Sequence, residues 1–400
     1  MQERHVVLGV TGSIAAYKAV DLASKLTQAG VSVHVVMTES AAKLVGPASF
    51  RAITGLPVST DLFELTNPFA IEHISLADVA DAFLIAPATA NVIAKVANGI
   101  ADDLLSCTAL ATRAPLLIAP AMHTAMWDNP ATQENVNTLR SRGAMLIGPD
   151  EGRLASGGYG AGRFAPVNQI LGETLRVLGR SGDLAGRTIV VTAGGTREPI
   201  DDVRFIGNRS SGRMGVAIAE AARDRGSRVV LLAASMELEP PAGVEVRRVF
   251  SAAEMHAAVK HAVQAADVLV MSAAVADYRP ETVVEGKRKK TDDAWMLNLC
   301  RTKDILASVD GPPLRVGFAA ESDDLVENAR RKLADKSLDL IVANRIGSPD
   351  GAFGSLSNQV TLLDRDGGIN TWPMLPKREV ADRLLDRVVK HLVDQRGETA

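Results

Sequence analysis

The chain has 400 residues, 46% hydrophobic and 23% charged, enough for two domains that each bury a core of their own. Lys and Arg (44) nearly balance Asp and Glu (47), and a formal charge of -3 with the two signs interspersed gives no electrostatic reason to expect nucleic acid or an anionic membrane as a partner. The two cysteines, Cys107 and Cys300, stand in no C-x-x-C spacing, which argues against a disulfide framework or a zinc site and fits a reducing cytoplasm.

The opening MQERHVVLGV passes from polar residues straight into a strand, so no signal peptide is expected, and no apolar run is long enough to span a bilayer. Buried parallel strands are predicted at 5–10, 31–37, 82–87 and 116–120, with helical stretches between them. After a further strand near 143–147 comes GRLASGGYGAGRF, residues 152–164, which has neither helical nor strand period and reads as a mobile flap. A short amphipathic helix over 168–178 and a linker-like RSGDLAGR, 180–187, place a domain boundary near 188. The alternation then resumes, with strands at 189–192, 228–233, 268–271, 315–319 and 340–342 and a hairpin turning at Asp366, Gly367 and Gly368. The expectation is an α/β protein: a flavodoxin-like doubly wound parallel sheet over 1–188, then a Rossmann-like α/β domain with an appended β-hairpin over 189–400.

Both halves open alike, with an apolar strand, a small-residue turn and a helix: VVLGVTGSIAAYKAV from Val6 and IVVTAGGTREPIDDVRFIGNRSSGRMG from Ile189. Backbone N–H groups and helix starts at such turns suit phosphate. Neither turn is a G-x-x-x-x-G-K-[ST] loop or an in-register G-x-G-x-x-G, so the generic dinucleotide label is weak. Gly12 and Ser13 at one helix start and Thr38 after the next strand could hold one phosphate, although Ser and Thr also cap helices routinely.

The segments GVTGSIAAYK, IEHISLA, APATANVIAKVANGIADDLL and PAMHTAMW resemble the flavin-dependent cysteine decarboxylases, and the second half resembles the ligase fused to them in bacteria. The resemblance, from about Val6 to about Asp364, is to bifunctional coenzyme A biosynthesis proteins, phosphopantothenoylcysteine decarboxylase joined to phosphopantothenate-cysteine ligase. For the first half it implies FMN, held by Gly12, Ser13, Ile14, Thr38, Thr89 and Asn91, and a reaction in which the cysteinyl CH2–SH is oxidised to a thioaldehyde so that the carboxylate can leave as CO2. It implies His73 as the proton acceptor, with His123 and Met126 at the substrate. Two positions depart from the family pattern. His123 stands where an asparagine is usual, and the flap reads Ala155-Ser156-Gly157 where the family has A-C-G, so a poorer donor, Ser156, with Tyr159 or water as alternatives, faces the reductive step.

For the second half the resemblance implies activation of 4'-phosphopantothenate by CTP and Mg2+ as an acyl-cytidylate, followed by attack of the cysteine amine. Asn208 would bond the acyl-cytidylate. Arg209, Ser211 and Gly212 would bind substrate. Ala273, Ala274, Asp277, Lys287, Lys303, Asp304, Ile305, Leu306, Phe318, Lys332 and Lys336 would bind CTP, with Asp277 also near the metal. Lys332 and Lys336, one helical turn apart, should repel one another unless an anion lies between them. Gly194 and Gly195 read as a turn able to approach a ligand closely. A cytoplasmic homo-oligomer, with decarboxylase trimers linked by ligase dimers, is expected by the same resemblance. The alternatives are an active ligase fused to an impaired or regulatory flavin-binding domain, and an NAD(P)-linked oxidoreductase, which needs an acidic residue closing a second strand. The strand ending in Ala233-Ala234-Ser235 offers none, and Glu39 is a weak candidate.

Overall fold

The computed structural model describes residues 3–63, 72–290, 294–309, 314–321, 323–345 and 355–397. Two compact units, Met1–Leu178 and Gly179–Ala400, make up the chain.

In the first unit β1 (Arg4–Val10) lies between β2 (Val31–Met37) and β4 (Ala82–Ala88), with β3 (Val58–Ser59) beyond β2, and β5 (Leu116–Pro120) and β6 (Met145–Leu146) beyond β4. All pairs are parallel and the order is 3-2-1-4-5-6, that of dinucleotide-binding sheets. Strands buried on both faces explain the unbroken apolar runs. Val6, Leu8 and Val10 meet α1 (Ala16–Gln28), α3 (Pro47–Thr54) and α9 (Val167–Gly179), with the one-turn α2 (Glu39–Ala42) beside them. Val7 meets the opposite layer, α4 (Glu72–Val79), α5 (Ala90–Asn98), α6 (Leu104–Ala111) and α8 (Pro130–Ser141). Gly9 permits that second layer, because a Cβ there would lie 2.9 Å from Leu105 Cδ1. The glycine-rich stretch without strand period forms an antiparallel hairpin, β7 (Asp150–Arg153) and β8 (Tyr159–Arg163), which the sequence reading had missed. Its base packs on α7 (Thr124–Trp127): Met122 N–H donates to the Gly162 carbonyl at 2.9 Å, and a Cβ on Gly160 would meet Thr124 Oγ1 at 2.6 Å.

The second unit repeats the order. Its sheet runs β13 (Glu245–Arg248), β12 (Arg228–Ala233), β9 (Thr188–Ala193), β14 (Val268–Met271), β17 (Leu314–Glu321) and β18 (Leu340–Arg345), all parallel, then β20 (Val360–Asp364) and β21 (Ile369–Thr371), antiparallel. The last two strands are the expected edge hairpin. Three short ribbons border the sheet: β10 (Arg197–Pro199) with β11 (Phe205–Gly207), β15 (Tyr278–Pro280) with β16 (Leu299–Arg301), and β19 (Ser357–Asn358) with β22 (Leu375–Pro376). One face is covered by α10 (Arg213–Asp224) and α14 (Lys377–Gly397), the other by α11 (Ala252–Ala262), α12 (Ile305–Ser308) and α13 (Leu325–Asp335). Between α10 and α14, Asp224 accepts from Arg223 and from Arg378 at 2.8 Å each.

The linker-like residues before 188 pack with this second unit. Leu184 is fully buried and donates its N–H to the Arg225 carbonyl at 3.1 Å, while the Arg225 guanidinium grips both Asp183 carboxylate oxygens and Asp386.

Candidate active sites

In a parallel sheet of this order, ligands bind beyond the carboxyl ends of the strands, where the order reverses. In the first unit that edge lies between β1 and β4, and the structure gathers the polar turns there. Thr11, fully buried, donates its hydroxyl to the Pro87 carbonyl at 2.6 Å and accepts from Thr89 N–H at 3.0 Å. Ser13 Oγ donates to the Ala121 carbonyl at 3.2 Å, and a Cβ on Gly12 would lie 2.5 Å from Ser40 Cβ. The turns after β1, β2, β4 and β5 thus touch one another. Thr38 caps α2, accepting from Ala41 N–H, and Thr89 caps α5, accepting from Val92 N–H, so both hydroxyls serve helices, as Ser and Thr commonly do. Ile14 is 68% exposed beside them, and Asn91 is exposed in the first turn of α5.

His73 is half-buried in the first turn of α4, next to Glu72, which accepts from the Ser59 hydroxyl. His123 caps α7: its Nδ1 accepts from Ala125 N–H at 3.2 Å. With Nδ1 as acceptor, the neutral ring carries its proton on Nε2, so this imidazole offers one acceptor to the helix and one donor outward, as an asparagine amide would. Met126 follows on the same turn, half-exposed. Ser156 is exposed at the tip of the β7–β8 hairpin, where Gly157 adopts a φ of +86°; among the described residues no hydrogen bond joins Ser156 to the β1–β4 turns.

The second unit has a cavity of about 980 Å³ at the carboxyl ends of β14, β17 and β18. Its wall includes Asn208, Arg209, Ser211, Gly212, Ala273, Ala274, Asp277, Lys303, Asp304, Ile305, Leu306, Phe318, Lys332 and Lys336, drawn from segments far apart in sequence. Tight packing puts α10 against the strands. A Cβ on Gly215 would lie 2.6 Å from Ala193 Cβ, and Gly212, the N-cap, has a φ of +75°. Asn208 Nδ2 donates to the Val275 carbonyl at 3.0 Å. Asp304 caps α12 through Ala307 N–H, and its other oxygen lies 3.1 Å from Lys336 Nζ. Ile305, although at the wall, is 3% exposed and packs inward.

Three expectations need correction. Lys332 and Lys336 do not face one another bare: Lys332 Nζ lies 2.6 Å from Glu321 Oε1, and Lys336 pairs with Asp304. Gly194 and Gly195 spend their backbones on protein rather than ligand, since Gly195 exchanges hydrogen bonds with Ser235 and Gly194 accepts from Ala274 N–H. Lys287 is exposed and does not line the cavity; its loop is tied elsewhere, Val284 N–H donating to Ile200 and Arg288 N–H to Asp201. Sequence reading also missed wall residues at the end of β18 (Asn344), in β19 (Ser357, Asn358) and at the start of α14 (Lys377). No local sequence pattern marks any of the four, because they meet the cavity only through the fold. Among the described residues no three His, Cys, Asp or Glu side chains converge as a metal site, and the cavity wall carries two carboxylates, Asp277 and the Lys336-paired Asp304. The oxidoreductase reading finds no support, because Glu39, its weak candidate, is exposed and paired with Lys43 at 2.6 Å.

A family model described as Flavoprotein matches residues 1–179, and one described as DNA/pantothenate metabolism flavoprotein C-terminal domain matches 184–392. The chain is 46% identical over 404 residues to the coenzyme A biosynthesis bifunctional protein CoaBC of Bacillus subtilis (strain 168), covering 100% of this chain and 99% of that one. It is 46% identical over 408 residues to the protein so named from Mycobacterium tuberculosis (strain ATCC 25618 / H37Rv), covering 97% of each. To that of Escherichia coli (strain K12) it is 42% identical over 393 residues, covering 96% of this chain and 97% of the other. No helix among the described residues is long and apolar enough to cross a membrane.

Proposed function

This chain belongs to the family of coenzyme A biosynthesis bifunctional proteins, and on that premise we propose how its two units divide and perform the work. The second unit, Gly179–Ala400, is the phosphopantothenate-cysteine ligase and the first, Met1–Leu178, the FMN-dependent phosphopantothenoylcysteine decarboxylase. The observation that carries the reading is the single cavity into which Asn208, Asp277, Phe318, Lys332 and Lys336 converge from separate segments.

In the ligase, a carboxylate oxygen of 4'-phosphopantothenate attacks the α-phosphorus of CTP and pyrophosphate leaves. The cysteine amine then attacks the acyl carbon, CMP leaves, and the nitrogen gives up a proton. Asn208 cannot exchange protons at neutral pH, so its part is to hydrogen-bond the acyl group while charge builds on it. Lys332 and Lys336 trade their carboxylate partners for phosphate oxygens, and Phe318 packs on the nucleotide. Asp277, on the cavity wall and outside any cluster of three potential ligands among the described residues, would suit a magnesium ion held mainly by nucleotide phosphates and water.

In the decarboxylase, the N–H groups and hydroxyls at the ends of β1, β2 and β4 fit an FMN phosphate, and the missing Cβ of Gly12 lets the turn bearing Ser40 close up beside them. A flavin held there would supply reversible hydride chemistry for oxidation of the cysteinyl carbon. His73 accepts the thiol proton, His123 offers its Nε2–H to the substrate carboxylate, and Ser156 or a water on the hairpin supplies the final proton. The apolar side chains of Ile14, Tyr17, Met126 and Tyr159, all at least 49% exposed, support a site covered by further copies of the chain. Decarboxylase trimers linked by ligase dimers in the cytoplasm are the arrangement we favour.

The test is to incubate the protein with phosphopantothenate, cysteine, CTP and magnesium and to assay phosphopantothenoylcysteine and phosphopantetheine separately. Absence of the first product overturns the ligase reading; accumulation of the first without the second, by a protein carrying FMN, leaves the first unit as a flavin-binding module only.

A further inference from the structure

Lys377 enters the ligase cavity from a side that no sequence motif marks. It opens α14, and its half-buried side chain lines the wall beside Ser357 and Asn358. Its Nζ donates to the Ser355 carbonyl at 2.6 Å, which leaves two of the three ammonium N–H bonds unspent. Among the described residues no carboxylate forms an ion pair with it, whereas the other two lysines on the wall with partners, Lys332 and Lys336, are held by Glu321 and Asp304. Arg213, the first residue of α10, lines the same cavity. Its Nε is buried without an acceptor, and its carboxylate contact is a loose 3.6 Å to Glu237, itself largely exposed. Burial first, and the Arg213 charge second, hold the Lys377 ammonium below its ordinary pKa, with Glu237 opposing. Two cations that repel across a half-buried space, each with donors to spare, are relieved by an anion that accepts from both.

We propose that Lys377 and Arg213 form an anion subsite of the ligase cavity, separate from Lys332 and Lys336, that binds phosphate oxygens of a substrate. The inference rests on the ligase reading. Two of its substrates carry phosphate, CTP as a triphosphate and phosphopantothenate as a monoester, and the subsite suits the oxygens of either. A cavity with cations at two places is what a reaction joining two phosphorylated molecules requires, since one cluster cannot neutralise both.

The experiment is steady-state ligation by the full chain carrying Lys377→Met, Lys377→Arg or Arg213→Gln, with each of the three substrates varied in turn. Loss of a charge-assisted contact should raise KM for a phosphorylated substrate about tenfold in Lys377→Met and Arg213→Gln. The KM for cysteine and the rate of CO2 release from phosphopantothenoylcysteine should stay within about twofold, and Lys377→Arg should recover most of the loss. A rise confined to CTP assigns the subsite to the nucleotide, one confined to phosphopantothenate assigns it to the monoester, and a rise in both assigns it to a point shared between them. The proposal is overturned if neither phosphorylated substrate responds, or if all three KM values and the melting temperature move together without recovery by arginine. A parent protein that forms no phosphopantothenoylcysteine would instead sink the ligase reading itself.

Discussion

Asn208 donates its side-chain amide to the carbonyl of Val275 at 3.0 Å, so the loop carrying IGNRSSG is pinned to the segment that leaves β14. Asn208→Asp removes that donor and sets a carboxylate against a carbonyl. Ligation should fall by at least about 100-fold, the scale seen when a donor to a developing oxyanion is removed. Decarboxylation of supplied phosphopantothenoylcysteine should be unchanged, and an equal loss in both assays would trace the fault to folding instead.

Thr11→Val tests the junction of β1 and β4. The variant keeps the shape but loses both bonds of a fully buried hydroxyl, leaving the Pro87 carbonyl and Thr89 N–H without it. A cost of about 1–3 kcal/mol is expected. The flavin-to-protein absorbance ratio after FMN reconstitution should drop together with the melting temperature; full flavin content at a lowered melting temperature would separate the junction from cofactor binding.

Ser156→Cys asks whether the hairpin tip limits the first unit. A thiol is a far better proton donor than a serine hydroxyl. If protonation of the product sets the rate, phosphopantetheine formation should speed up in the variant while ligation is unaffected. An unchanged rate would remove Ser156 from the reductive step and point to water or Tyr159.

The pH dependence of stability should carry the mark of Glu220, half-buried on α10. Burial first pushes its carboxyl above the ordinary range; Arg223 and Arg378 oppose the shift and Asp224 adds to it. Since the folded pKa lies above the unfolded one, the proton favours the fold: this contribution is complete below the unfolded value and disappears as pH rises through the folded one. Glu220→Gln should therefore raise the urea midpoint over the parent at about pH 8 and leave it nearly unchanged at about pH 4. The same gain at both pH values would show that the carboxyl is not titrating in this way.

Much of this molecule is legible from local pattern. The unbroken apolar runs that open at Val6 and Ile189 declare buried parallel strands, and Asp366-Gly367-Gly368 declares the edge hairpin, because both are dictated by neighbours in the chain. What sequence hid depends on partners far away. The β7–β8 hairpin has glycines where strands usually have branched residues, since Gly160 and Gly162 must clear Thr124 and Met122. Lys332 and Lys336 looked mutually repulsive because Glu321 and Asp304, which hold them, lie in other elements. Lys287 was judged by its spacing from ADYRP, and spacing does not reveal that neighbours on either side are tied to Ile200 and Asp201. Lys377 went unread because its meaning arises only once α14 folds back to the cavity.

The burial of Leu184 and the grip of Arg225 on Asp183 dictate where the polypeptide can be divided. A fragment begun at Ile189 would leave an apolar socket open and a guanidinium stripped of its nearest counter-ion. A fragment begun at Gly179 would carry its own stopper, and it is the better starting material for crystallising the ligase half alone.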